Sequence, residues 1–78
     1  MATKQEELEM AARGTGCLGK ASDDEPIFIL RARDRLAPDL VRVWANLAHR
    51  HGCSELKVAE ARALAARMDA WPNRKFPD

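Results

Sequence analysis

The sequence predicts a small α+β domain spanning 1–78, with a short β-hairpin packed on an antiparallel pair of helices. Three observations lead there. Ile27-Phe28-Ile29-Leu30 is a β-branched and aromatic run directly after Pro26, a strand composition. Leu40, Val43, Trp44, Leu47 and His51 recur at helical spacing, and so do Ala61, Leu64, Met68 and Trp71. Between the helices that carry those two stripes stand only Gly52 and Cys53 before the cap at Ser54, a turn short enough to fold one helix back on the other.

In chain order, residues 3–13 read as a helix. Thr3 and Glu6 have capping-box spacing, and the acids fall early, where the helix dipole favours them. Leu8, Met10 and a few alanines are its apolar residues, so this helix is expected to fray as a mobile N-terminal element. Gly14 and Gly16 stop it. A strand is expected over 27–32. A second capping-box pattern, Ser22 with Glu25, competes by offering a helix start there. The strand needs a mate, because backbone donors and acceptors must be paired. One candidate is Cys17–Ala21, joined through the polar turn Ser22–Glu25 as a hairpin; the other is the same strand of a second copy in a homodimer. Pro38 suits the first helical position and Asp39 the first turn of the next helix, which Gly52 ends. Val41 and Ala48 widen its apolar stripe. Ser54 caps a final helix over 55–70, Pro72 ends that helix, and 72–78 form a tail.

Size and charge bound the function. A 78-residue chain buries about 60–65% of the surface its unfolded form exposes, so the core is thin and a partner would help it. Net charge is +1, which favours neither a nucleic-acid binder nor a duplex mimic. The charge is nonetheless uneven: −3 over residues 1–30 and +4 over 31–78. No apolar run approaches the ~20 residues of a membrane span and no signal-peptide pattern opens the chain, so a cytoplasmic location without membrane contact is expected. Two cysteines, Cys17 and Cys53, are too few for a disulfide framework and are expected as thiols in a reducing compartment.

Several patterns invite a chemical reading. Gly14, Gly19 and Lys20 fall as in a phosphate-cradling P-loop, but Ala21 replaces the magnesium-binding hydroxyl and a charged helix precedes where a buried strand should. The glycines therefore read as a helix stop and a tight entry into the next element. His49, His51 and Cys53 are close in sequence, with Cys17 as a conceivable fourth ligand. Residues two apart diverge by about 200° on a helix, and no zinc-finger spacing is matched. No metal or cofactor is expected; His49 reads as a solvated residue at a helix C-terminus and His51 as a cap on the core. Residues 47–58 resemble the centre of a helix-turn-helix, but Glu55 and Glu60 would meet phosphates with like charge, and direct nucleic-acid contact is not expected. Arg31, Arg33 and Arg35 alternate, which on an extended chain puts them on one face as a basic stripe suited to phosphates or carboxylates, or as a solvated edge. Trp44 and Trp71 read as packing residues. With no tyrosine and no carboxylate pair in an apolar setting, no enzyme is expected.

Residues 23–48 and 67–78 resemble small proteins carried by phages and prophages of high-GC bacteria, proteins that in size and origin resemble anti-CRISPR proteins. That resemblance implies a compact, non-enzymatic inhibitor, acting in the host cytoplasm, that docks on a bacterial CRISPR surveillance complex, most simply a type I complex. The near-neutral charge favours steric occlusion of target DNA binding or nuclease recruitment over duplex mimicry. On that reading, Glu6, Glu7, Glu9, Asp23, Asp24 and Glu25 face a basic groove on the partner, and Arg31, Arg33 and Arg35 contact it where the partner is acidic. A small helix-turn-helix DNA-binding regulator and a homodimeric structural or adaptor protein are the alternatives.

Overall fold

The computed structural model describes residues 2–77, and among them stand four helices: α1 (Lys4–Ala12), α2 (Gly16–Lys20), α3 (Ala37–Arg50) and α4 (Glu55–Asp69). The architecture is all-helical, which corrects the expected α+β class.

The N-terminal third forms its own small unit. The capping box at α1 is complete: Glu6 N donates to Thr3 Oγ1 at 3.2 Å and Thr3 N donates to Glu6 Oε1 at 3.3 Å. Gly14, at φ 71°, turns the chain so that α2 folds back on α1. Gly19 makes that contact close: a Cβ there would lie 3.1 Å from Ala11 Cα and 3.0 Å from the Gly14 carbonyl carbon. Residues 17–20, expected as one arm of a β-hairpin, are therefore helical. They contain no β-branched residue, and Ala21 N closes the turn onto Cys17 O at 3.1 Å.

With that arm coiled, the predicted strand 27–32 loses its mate. Its residues adopt no strand, and no hairpin forms. The competing Ser22/Glu25 pattern makes a turn without a helix: Glu25 N donates to Ser22 O at 3.1 Å and Ser22 N donates to Glu25 Oε1 at 3.2 Å. Sheet-like pairing among the described residues is confined to one parallel bridge between Asp34 and Lys75. There Arg35 N donates to Lys75 O at 2.9 Å and Lys75 N to Arg33 O at 2.8 Å, which ties the tail to the segment leading into α3.

α3 and α4 carry the core. Its buried members are Ala37, Val41, Ala45 and Ala48 from α3 and Val58, Ala61, Ala65 and Met68 from α4, with Leu30, Ala32 and Leu64 packed against them. Small residues at three- and four-residue spacing let the backbones approach closely. Links between the helices keep step along both: His49 Nδ1 lies 3.2 Å from Glu55 Oε1, Arg62 Nη2 donates to Asn46 Oδ1 at 3.3 Å, and Arg42 donates to Asp69. The pair thus runs antiparallel and side by side. Gly52, at φ 73°, makes the turn, Cys53 N donates to Ala48 O, and the Ser54 hydroxyl caps α4 by accepting from Lys57 N. α4 ends at Asp69, one residue before the expected 70, and α3 begins at Ala37, one before Pro38. No helix among the described residues is long and apolar enough to cross a membrane.

Candidate functional site

The segment from Asp23 to Leu30 is an arm that opens with a turn at Asp23 and Asp24 and continues without regular secondary structure. From Pro26 to Leu30 its backbone makes no hydrogen bond among the described residues. Leu30 anchors one end against the helical core. Phe28 and Ile29 stand out from the molecule, 82% and 71% exposed, with Ile27 half-exposed beside them. Asp23 and Asp24 precede them, also exposed. The backbone groups of 26–30 and the Phe28 and Ile29 side chains are thus left to water.

α3 presents a second exposed apolar row. The stripe read from sequence splits in two: Val41, Ala45 and Ala48 face α4, while Leu36, Leu40, Val43, Trp44 and Leu47 remain about half exposed beside them. Trp44 is 49% exposed and Trp71 52%, so neither is the core residue expected from its helical spacing. His51, expected to cap the core, is exposed too.

The third feature is basic. A shallow groove is lined by Arg31, Arg33, Trp71, Asn73, Arg74 and Lys75. Arg74 holds the groove together: its Nε donates to Ala32 O at 3.3 Å, its Nη2 to Arg35 O at 3.3 Å, and its Nη1 lies 3.9 Å from Asp69 Oδ1. The Arg31 and Arg33 side chains make no hydrogen bond or ion pair with another described residue. Arg35, expected to join them, instead lies over the Phe76 ring, 5.1 Å from its centroid, a cation–π contact. The expected stripe of three arginines thus becomes two arginines beside an indole and the tail. Sequence reading could not join Trp71 to Arg31, since the groove depends on the tail crossing back over residues 32–35.

No protein-family profile, curated protein or solved structure matches this chain.

The acidic residues fall in two places that no described contact brings together. Glu6 is committed to the α1 cap, where its hydrogen bond from the Thr3 hydroxyl, and then that from the Thr3 N–H, holds its carboxyl below the ordinary carboxylate range. Glu9 accepts from Gln5 at 3.5 Å and Glu25 from the Ser22 backbone, whereas Glu7 is half-buried. Asp23 and Asp24 carry the open negative charge of the arm.

The glycines of the P-loop-like stretch have structural work in the α1–α2 unit, since Gly14 and Gly16 sit at positive φ and Gly19 makes the close contact. The described residues gather no group of three or more His, Cys, Asp or Glu side chains, and Cys17 and Cys53 are both exposed thiols. α3 and α4 lie alongside each other, whereas the two helices of a helix-turn-helix cross at about 90–120°. Near Asp69, Arg42 is held more strongly protonated than an ordinary arginine, chiefly by its hydrogen bond to that carboxylate.

Proposed function

We propose that the chain acts by binding a protein partner, with the arm Asp23–Leu30 as its docking segment. The observation that carries this is the pairing of Phe28 and Ile29, exposed to water, with a backbone that has no partner from Pro26 to Leu30. A docking protein can satisfy both at once, taking the side chains in pockets and the main chain in hydrogen bonds. Asp23 and Asp24 add charge that steers toward a basic surface. The work is stoichiometric occlusion and not turnover. The α3 row of Leu40, Trp44 and Leu47 supplies further contact area. On the sequence resemblance, the partner is a type I CRISPR surveillance complex, and the consequence of docking is a block of target DNA binding or nuclease recruitment.

The test is binding of the purified chain to a reconstituted type I surveillance complex, alongside the Phe28→Ala/Ile29→Ala double variant. The expected result is a stable complex weakened about 30-fold or more by the double variant, because a pair of interface anchors is worth about 2 kcal/mol or more. Charge reversal at Asp23, Asp24 and Glu25 is expected to slow association and to weaken inhibition. Binding that ignores both sets of changes removes the arm from the reading. Absence of binding removes the surveillance complex as the partner. A second copy, as in the homodimer alternative, would show as a dimer in size-exclusion chromatography.

A further inference from the structure

We propose that the groove formed by Arg31, Arg33, Trp71, Asn73, Arg74 and Lys75 binds single-stranded nucleic acid. This goes beyond the protein-docking reading and uses other residues.

The groove combines the two features such binding needs, a basic track for phosphates and an aromatic face for bases. The track is supplied first by Arg31 and Arg33, exposed and not engaged by other described side chains. Among the described residues no carboxylate pairs with Arg31 or Arg33. The Asp34 carboxylate accepts from Leu36 N at 2.8 Å, and Asp69 is occupied by Arg42 with Arg74 at its edge. The stacking face is Trp71, half-exposed among the cations at the end of α4. Asn73 contributes an amide that can donate to and accept from a base edge.

The site is also held in shape. The paired backbones of Arg33–Arg35 and Lys75, with the Arg74 guanidinium on two carbonyls, fix the tail against the arginine segment. Arg31, Arg33 and Trp71 therefore meet on a formed surface and not on two loose loops. An acidic peptide would use the guanidinium groups but leave the indole idle. A duplex keeps its bases stacked inside and offers Trp71 no free π-face. An unpaired strand uses both.

The experiment titrates the full chain into a fluorescently labelled single strand of about 10 nucleotides, within the usual range of about 4–16 nucleotides per site, and reads anisotropy together with tryptophan emission. Saturable binding with quenching of Trp71 is expected. Raising salt from about 50 to about 200 mM should weaken it roughly tenfold, the effect of releasing counterions from two to three phosphates. Arg31→Glu with Arg33→Glu should abolish binding, and Trp71→Ala should weaken it about tenfold. Trp71→Phe, which keeps an aromatic ring, should bind within a few-fold of the native chain. Leu56→Ala, exposed on α4, should bind as the native chain does. Circular dichroism confirms that each variant is folded. No saturable binding at low salt, equal affinity for a duplex of the same sequence, equal displacement by a polyglutamate peptide, or indifference to the arginine and Trp71 changes would each overturn the proposal. None of these outcomes bears on Phe28 and Ile29, so the docking reading stands or falls separately.

Discussion

Gly52 is the residue on which the α3–α4 turn depends. At φ 73° it occupies the left-handed region, where a side chain crowds the following carbonyl. Nothing surrounds the position a Cβ would take, so backbone strain alone opposes substitution. Gly52→Ala is expected to cost about 1–2 kcal/mol, read as a lower thermal midpoint by about 4–8 °C per kcal/mol. Gly19 is sensitive for the opposite reason: its φ is ordinary, but α1 and the Gly14 backbone fill the space. Gly19→Ala should loosen the α1–α2 unit by about 1–3 kcal/mol, seen as faster amide exchange in residues 4–20 while α3 and α4 stay protected. Glu6 provides a pH-dependent contact. Its carboxyl is held below the ordinary range by Thr3 in the folded chain. Its contribution to α1 is therefore complete above the unfolded value of about 4.3 and is lost as pH falls through the lower folded value. Residue-specific NMR should show the Thr3 and Glu6 amides losing protection with acid, and Glu6→Gln should remove that dependence.

At the level of elements, α3 has an apolar arc wider than α4 can cover. Alanines and Val41 take the contact, because only small side chains permit two helices to lie so close, and the larger Leu40, Trp44 and Leu47 are left flanking it. The sequence shows the arc plainly but does not reveal which part faces inward, since periodicity marks apolar residues without saying where the neighbouring helix lies. Ala61→Leu should force the helices apart and cost about 1–3 kcal/mol. Val58→Ala should cost about 1–2 kcal/mol through lost burial, as Val58 is 1% exposed. Chemical denaturation measures both. The arm behaves differently: Phe28→Ala/Ile29→Ala should move stability by only about 0.5 kcal/mol, because those side chains make no core contact. Composition invites a strand there, but a strand exists only if another segment pairs with it. Residues 17–20 instead coil into α2.

Across the whole molecule, the exposed apolar and basic features of the described residues lie on the surface. The arm, the α3 row and the basic groove are made by different residues, and the uneven charge of the sequence reappears as an acidic arm and a basic seam between residues 31–33 and the tail. Much of this was legible in the sequence: the helix over 3–13 with its Thr3–Glu6 cap, the stop at Gly14, the turn at Gly52, the Ser54 cap and the two long helices. These are local, set by dihedral preference, capping chemistry and spacing within a few residues. Only the tertiary structure decided that residues 27–32 find no strand partner, that alanines and not tryptophans fill the helix interface, and that Trp71 and Lys75 join Arg31 and Arg33. Each of those outcomes depends on what a distant segment brings alongside, and the chain's own periodicity carries no information about its neighbours in space.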